Sequence, residues 1–159
     1  MRVAILAIGR LKDDAEASIV ARYTKRFDQT GRPAGLGPLS VSELPESRAA
    51  TAAERKADEA SRLLKAAGPA ALVVLEVSGR SMASEDFAAH FRKLADEGAK
   101  ACAILIGGPD GHGPAVLETP SLKLSLGAFT LPHGLARVVI AEQLYRAATI
   151  LTGHPYHRT

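Results

Sequence analysis

The sequence ILIGGPDGHG at residues 104–113 decides the fold. It completes an apolar run, 101–106, whose lack of alternation is typical of a parallel strand covered on both faces. Gly107 and Gly108 end this run and would let a flat ligand approach the main chain with no Cβ in the way. Because ligands bind at the carboxyl ends of strands in open parallel sheets, the stretch predicts an α/β protein with a pocket at this edge.

Apolar runs of strand length alternate with helical patterns along the rest of the chain. We expect strands at 3–8, 39–44, 71–77 and 101–106, and a short one around 128–131. We expect helices at about 13–28, 50–67, 84–97, 114–120 and 135–152. Ser84, with Glu85 and Asp86 after it, is typical of a capped helix start, and Gly98 of a helix stop. The alternation predicts one α/β domain over residues 1–159, with a mostly parallel sheet flanked by helices.

The composition is that of an ordinary globular protein, with 47% apolar and 23% charged residues. The single cysteine, Cys102, excludes an intrachain disulfide and fits a reducing compartment. It lies inside an apolar run, so we expect a core residue and not a catalytic thiol. The N-terminal run 3–8 is too short for a signal-peptide core, and no run has the length of a membrane span. We therefore expect a cytoplasmic location.

Positive charge is concentrated toward the C-terminus. The segment 122–159 holds Lys123, Arg137, Arg146 and Arg158 against one acid, Glu142, so it carries the whole formal excess of +3. A local basic patch of this kind is compatible with a polyanionic partner. Scattered solvated charge would explain the same composition.

Three predicted strand ends carry unusual residues, at 75–79, 106–111 and 131–134. If they are adjacent in space, they form one pocket rimmed by main-chain amides and carbonyls. The glycine-rich stretch lacks both the GxGxxG pattern of dinucleotide-binding proteins and the Gly-Lys-Ser/Thr of a P-loop. A tight turn built for geometry alone is the competing interpretation.

His133 and Arg137 are four residues apart at the start of the last predicted helix, so they can share a face. The helix dipole disfavours the imidazolium form of a histidine at this position, which leaves a neutral group able to exchange a proton. A capping or packing role for His133 is the alternative. Arg137, in an apolar stretch, must find a carboxylate, a phosphate or solvent. Glu142 and Arg146 form a favourable i,i+4 pair that we expect to be structural.

The helix 135–152 is apolar on nearly every side, which implies a partner beyond one sheet face. In a chain of this size, the same helix of a second copy is the expected partner. The tail residues His154, Tyr156, His157 and Arg158 lack a carboxylate or cysteine to complete a zinc site, so we expect no metal. Tyrosine and histidine can stack on bases and arginine can pair with a phosphate, which suits contact with RNA; a frayed terminus is the alternative.

Several segments together resemble a known family. These are ILAIGRLKD at 5–13, LEVSG at 75–79, ILIGGPDG at 104–111, TLPH at 130–133, RVVIAEQLYRA at 137–147 and HPYHR at 154–158. They are similar to the ribosomal RNA large subunit methyltransferase H family, minimal members of the SPOUT class of α/β-knot methyltransferases. The chain departs from the family pattern at His112, where an apolar residue is common, at Leu-Ala after Gly134, and at Thr159.

The resemblance implies a homodimer in which the region of about 101–159 forms a C-terminal trefoil knot and binds the cofactor. It implies that S-adenosylmethionine is used to methylate N3 of a pseudouridine in the helix 69 loop of 23S rRNA, on assembled ribosomes. The cofactor pocket would consist of Leu75, Gly107, Leu126, Gly127, Ala128, Phe129, Thr130 and Leu131.

Catalytic and RNA-binding roles follow from the chemistry of this reaction. The imide nitrogen must lose a proton, so His133 could orient the base or take that proton, and Arg137 could stabilise the anion or hold a phosphate. The tail residues would clamp the RNA. Two other interpretations stay open: a non-catalytic ribosome-binding factor with the same fold, and a SPOUT methyltransferase that acts on transfer RNA.

Overall fold

Strands and helices alternate along the chain in a computed structural model that describes residues 1–118 and 120–158. The strands are β1 (Arg2–Ile8), β2 (Leu39–Leu44), β3 (Ala71–Arg80), β4 (Ala101–Ile106) and β5 (Leu122–Leu124). The helices are α1 (Asp14–Gly31), α2 (Ala52–Ala67), α3 (Ser84–Asp96), α4 (Pro114–Leu117) and α5 (His133–Thr152). A short 3-10 turn, Arg32–Ala34, follows α1.

The strands form one five-stranded sheet in the order β2-β1-β4-β3-β5. Every neighbouring pair is parallel. The predicted mostly parallel sheet flanked by helices is therefore confirmed. Because all strands run in one direction, the carboxyl ends of β1, β3 and β4 lie at the same edge, which positions the candidate site.

Apolar cores cover both faces of the sheet. On one face Ile5, Val73 and Ile104 belong to a core that also contains buried residues of α1, α3 and α5. On the other face Leu6 and Leu105 belong to a second core, which includes residues of α2 and of α4. Burial on both sides explains why the strand sequences do not alternate.

Cys102 lies in the core, where it is 1% exposed. Burial raises the pKa of its thiol to about 12. A thiol with such a pKa is protonated at neutral pH and unreactive, as the apolar run around it predicts.

The last strand lies at a different place from the one predicted. Residues 128–131 form part of an exposed connection, and β5 is instead the three-residue piece Leu122–Leu124. It pairs with Val73–Leu75 of β3. Immediately before β5, the Ser121 N–H donates to the Leu72 carbonyl at 2.8 Å and fixes the start of the strand next to β3. A Cβ on Gly79 would come within 2.8 Å of the Lys123 and Leu124 carbonyl carbons, so glycine is needed where the two segments meet. The prediction was wrong because a run of three residues has no readable period.

The predicted capping residue of α3 was also wrong. Ala83 occupies the N-cap position with no side-chain hydrogen bond. Ser84 is already the first helical residue, and its hydroxyl donates to Gln143 Oε1 of α5 at 2.8 Å. Gly98, with φ +83°, follows the C-cap as predicted. The helix predicted over 114–120 ends at Leu117; Thr119, like Thr159 at the end of the predicted domain, lies outside the described residues.

Helix α5 packs between α1 and α3 on one face of the sheet. These two helices cover much of the apolar surface that the sequence assigned to a second copy: Ile140, Ala141 and Leu144 are fully buried within the chain. Leu135, at the start of the helix, is 45% exposed. Within residues 1–118 and 120–158, no helix is both long and apolar enough to cross a membrane.

Candidate functional site

A cavity of about 240 Å³ lies at the carboxyl edge of the sheet. It is lined by the ends of β3 and β4, by the connection that follows β5, and by the start of α5. The three strand-end segments that carry unusual residues in the sequence therefore lie side by side. Among the predicted cofactor residues, those that line the cavity are Leu75, Gly107, Leu126, Gly127, Phe129, Thr130 and Leu131. Ala128 is exposed and lies outside the lining.

One wall of the cavity is the glycine loop, residues 107–113. The Gly111 N–H donates to the Gly108 carbonyl at 2.9 Å and closes its turn. From behind, Arg55 of α2 holds the loop, donating to Asp110 Oδ2 at 2.7 Å and to Oδ1 at 3.3 Å. A Cβ on Gly108 would lie 2.7 Å from the buried carboxylate of Glu59. The loop is therefore fixed against α2 before any ligand is present.

The facing wall is the outer loop, residues 125–131. Its first residue, Ser125, donates its main-chain N–H to the Arg80 carbonyl at 3.0 Å, and the Ser125 hydroxyl and the main chain of Gly127 contact each other at 3.2 Å. Gly127 has φ +122°. Phe129 is 88% exposed, and Val77 beside the cavity is 65% exposed. This side of the cavity consists of apolar groups that the chain leaves uncovered.

His133 is the first residue of α5, after Pro132 at the N-cap. It is half-buried and lines the cavity together with Thr130 and Leu131. Gly134 allows α5 to approach α1, because a Cβ there would collide with the Glu16 carboxylate. The imidazole predicted to handle a proton thus lies beside the residues predicted to hold the cofactor.

Arg137, one helical turn further along α5, is directed away from the cavity. It is 1% exposed and donates to Glu43 Oε1 at 2.7 Å and to the carbonyls of Ile8 and Gly9 at 3.1 and 2.7 Å. Burial lowers the pKa of Arg137, an effect that Glu43 opposes. Of the three partners that the sequence allowed, the structure selects a carboxylate, and the Glu43 oxygen also accepts from the Leu11 N–H at 2.8 Å. Arg137 thereby ties α5 to the ends of β1 and β2.

His112 is a cavity residue for which the sequence predicted no role. It is 6% exposed, and its ring nitrogens make no hydrogen bond of ordinary geometry within the described residues, although the main chain of Leu75 and Leu105 lies beside the ring. Burial lowers the pKa of His112, against the charge of Glu76 and the main chain of Leu75 and Leu105. The sequence signalled it as a histidine within a glycine-rich turn and at a position where an apolar residue is common in the family it resembles, and neither signal assigns it a role.

The tail folds back onto the chain. The Tyr156 hydroxyl donates to Glu142 Oε1 at 2.9 Å, and the Tyr156 ring lies 4.6 Å from the Tyr145 ring. Burial and hydrogen bonding raise the pKa of Tyr156 above its usual value. His157 Nε2 lies 2.9 Å from Glu85 Oε1 on α3. The described part of the tail is therefore docked on α3 and α5, and none of its predicted RNA-binding residues lines the cavity.

The predicted basic patch is partly neutralised. Arg137 is paired with Glu43, and Arg146 with Glu142 at 2.6 Å, which confirms the expected i,i+4 pair. Lys123 and Arg158 are exposed. Across residues 1–118 and 120–158, no group of three or more His, Cys, Asp or Glu side chains is arranged to hold a metal ion.

A larger groove of about 890 Å³ lies between α1 and β2. Its lining includes Leu11, Val41 and Glu43 but none of the predicted site residues. The cavity at the carboxyl edge is therefore the candidate site.

The fold and the site define a class of protein that a comparison with family models identifies. Residues 1–157 match the family described as "Predicted SPOUT methyltransferase". The chain belongs to the SPOUT methyltransferase family.

Curated relatives match the chain over its whole length. Ribosomal RNA large subunit methyltransferase H of Brucella abortus (strain S19) is 48% identical over 169 aligned residues, which cover 100% of both chains. The protein of the same name from Brucella anthropi is 50% identical over 160 residues, again covering 100% of both chains. The resemblance inferred from the motifs is confirmed.

Proposed function

We propose that this protein transfers a methyl group from S-adenosylmethionine to N3 of a pseudouridine in the helix 69 loop of 23S rRNA, on assembled ribosomes. Family membership supports methyl transfer, and the names of the relatives support a ribosomal RNA substrate. The nucleotide and the particle follow from the motif resemblance.

The observation that carries the proposal is the composition of the cavity at the carboxyl edge. Residues far apart in the sequence, Leu75, Gly107 and the outer loop, line one cavity with His133 at its rim. If the cavity were only a by-product of the fold, nothing would favour a titratable side chain next to these residues.

The chemistry of the cavity lining suits an S-adenosylmethionine ligand. Gly107 lines the cavity and packs closely on the glycine loop, since a Cβ there would lie only 3.1 Å from the Gly111 carbonyl carbon. Leu75, Leu126 and Leu131 offer apolar contact. We propose that these residues, with Gly127, Ala128, Phe129 and Thr130, hold the cofactor. When bound, it supplies an electrophilic methyl group on a sulfonium.

His133 is the proposed proton acceptor. The pseudouridine N3 is an imide nitrogen and must lose its proton to become a nucleophile. His133 is the first residue of α5 and lines the cavity beside the residues proposed to hold the cofactor.

Arg137 supports the reaction from inside the chain. Its burial and its contacts with Glu43, Ile8 and Gly9 support a role in fixing His133 and the start of α5. Direct stabilisation of the anion, the role that the chemistry suggested, would require Arg137 to leave Glu43. We therefore propose that Arg137 acts on catalysis as a positioning residue.

The RNA site is proposed to need a second copy of the chain. The exposed apolar side chains of Val77, Phe129 and Leu135 are suited to a homodimer interface near the cavity. Arg158 is exposed, and His154, Tyr156 and His157 lie near it in sequence. These residues would contact RNA at the cavity of the partner. The trefoil knot expected for 101–159 stays a prediction.

Transfer of labelled methyl groups to ribosomes from a strain that lacks this gene tests the proposal. The expected product carries the label at one pseudouridine of the helix 69 loop, located by mass spectrometry of nuclease fragments. Naked 23S rRNA should be a poor substrate, because so small a protein depends on the shape of the particle. Label in transfer RNA, or equal rates on naked and assembled RNA, would contradict the proposal.

His133→Ala should abolish most transfer while thermal shift with S-adenosylmethionine stays normal. His90→Ala on α3 is the matched control, since His90 lies outside the cavity lining. A protein that binds ribosomes and cofactor but transfers no label would instead be a non-catalytic binding factor.

A further inference from the structure

Within residues 1–118 and 120–158, Glu76 is the one Asp, Glu, Lys or Arg residue that lines the cavity at the carboxyl edge. The rest of the lining consists of glycines, apolar residues, Thr130 and the imidazoles of His112 and His133. Glu76 directly follows Leu75 in the chain but is not among the predicted site residues. A mostly apolar cavity with a single carboxylate is suited to a ligand that carries a positive charge.

The main chain brings Glu76 to the rim of this cavity. The pairing of β3 with β5 runs through Leu75 and resumes only at Arg80, so the segment 76–79 leaves the ladder. Glu76 is half-buried there. Its charge also acts on His112 of the glycine loop, where it opposes the lowering of the imidazole pKa by burial. The charge of Glu76 is therefore effective inside the cavity and not only toward solvent.

Within the described parts of the chain, Glu76 has no basic residue as a partner. The ion pairs that these residues form all use other carboxylates. Glu43, for example, is paired with Arg137, and Asp110 with Arg55. Removal of a carboxylate from water without a cation costs free energy, and a cationic ligand would offset that cost.

S-adenosylmethionine has the charge that this carboxylate favours, and the product of methyl transfer does not. The cofactor carries a sulfonium, an ammonium and a carboxylate, so it has a net positive charge at neutral pH. When the methyl group is transferred, the bonding electron pair stays on sulfur, which becomes a neutral thioether. A carboxylate beside the ligand therefore attracts the charge that the reaction removes.

We propose that Glu76 is the cation-binding residue of the cavity and makes it prefer the sulfonium cofactor over the neutral thioether product. The inference rests on the proposed function, because it takes S-adenosylmethionine as the ligand of this cavity. Its consequence is that the product dissociates more readily than the cofactor, although the two share every other group.

Calorimetric binding of three ligands tests the proposal. S-adenosylmethionine carries the sulfonium, S-adenosylhomocysteine lacks that charge, and sinefungin carries a protonated amine at the position of the sulfonium. Glu76→Gln should weaken binding of the two charged ligands about five- to tenfold, because the carboxylate is half-buried and only partly screened by water. Binding of S-adenosylhomocysteine should change by less than about twofold. Glu76→Asp keeps the charge and should retain a preference for the charged ligands.

Glu97→Gln is the matched control. It removes one negative charge at the C-cap of α3, outside the cavity lining, and should change none of the three affinities. Thermal unfolding of each variant checks that it is folded. An equal loss for S-adenosylmethionine and S-adenosylhomocysteine would overturn the proposal, since Glu76 would then bind a group that both ligands share, such as the ammonium or the ribose hydroxyls.

Unchanged binding of all three ligands to Glu76→Gln would also overturn the role of Glu76 and leave it a solvated carboxylate. Neither result would affect the proposed function. Failure of the unsubstituted protein to bind any of the three ligands would overturn both this inference and the proposed function.

Discussion

The two walls of the cavity differ in how the chain holds them. The glycine loop is fixed from behind by α2, through the Arg55–Asp110 pair and through close packing of Gly108 on Glu59. The outer loop is held by the Ser125 N–H, which donates to the Arg80 carbonyl at 3.0 Å, and by contacts between Ser125 and Gly127, and it presents Phe129 with 88% of its surface exposed. One wall is therefore preformed, and the other presents apolar surface that the described part of the chain leaves uncovered.

This difference bears on affinity. A preformed wall loses no conformational freedom when a ligand binds. An outer loop that becomes ordered on binding loses conformational entropy, and this loss reduces the net free energy of binding. The start of α5 belongs with the fixed wall, because Arg137 ties it to β1 and β2.

The largest effect on stability is expected for Arg137→Leu. The substitution would leave the carbonyls of Ile8 and Gly9 and the Glu43 carboxylate without this partner. Since Glu43 retains some solvent, we expect a loss of about 3 kcal/mol in the free energy of unfolding, measured by urea denaturation. Arg62→Leu removes an arginine from a more exposed ion pair and should cost less than about 1 kcal/mol. Equal losses would mean that Arg137 does not anchor α5.

A matched pair of glycine substitutions compares the two loops directly. A Cβ on Gly113 would lie 2.6 Å from the Lys56 carbonyl oxygen, whereas a Cβ on Gly127 would have no atom within 4 Å. Gly113→Ala should therefore cost about 2 kcal/mol, because main chain of α2 must move. Gly127→Ala, at φ +122°, is strained only in its own main chain, and a loop that relaxes should limit the loss to less than about 1 kcal/mol. A larger loss for Gly127→Ala in the same urea titrations would show that the outer loop is rigid too.

The Arg55–Asp110 pair should give a smaller effect that depends on pH. The hydrogen bond with Arg55 holds the pKa of Asp110 below its usual value. A carboxyl whose pKa is lower in the folded protein stabilises it above its unfolded pKa, and this contribution disappears as the pH falls through the folded pKa. The difference in Tm between the unsubstituted protein and Asp110→Asn should therefore be present at pH 7 and shrink below about pH 4. Arg55→Gln removes the same contact and must show the same dependence; a pH-independent difference would contradict the pairing.

The predictable part of this fold is the part that depends on local pattern. The strands at 39–44 and 101–106 were predicted with their observed ends, because continuous apolar runs between polar turns leave little choice of boundary. β5 was missed because its three residues become a strand only through pairing with β3, which is a tertiary effect. The same limit applies to Ser84, whose hydroxyl bonds Gln143 on α5 instead of capping its own helix.

The candidate site likewise has a part that sequence pattern predicts and a part that it does not. Proximity of Leu75 and Gly107 follows from the rule that parallel strands end at one edge, whereas the residues before His133 reach this edge through a connection after β5 that the pattern did not predict. The partner of Arg137 cannot be predicted from such a rule, because Glu43 is 94 residues away in the sequence. The burial of the His112 ring likewise depends on how the glycine loop folds over its own side chain. Sequence pattern locates the edge of the sheet, while side-chain pairing across it depends on long-range packing.

The smallest effect on stability, and the sharpest test of the comparison, is expected for Phe129→Ala. With 88% of its surface exposed, the ring has little contact within the chain to lose. The free energy of unfolding should therefore change by less than about 0.5 kcal/mol. Binding of S-adenosylmethionine should nevertheless weaken about tenfold if the ring becomes buried only in the complex. Phe87→Ala provides the opposite case: that ring is 3% exposed, and its loss should cost about 3 kcal/mol of stability. If Phe129→Ala changed neither stability nor binding, the outer loop would be a surface segment and not the second wall of a site.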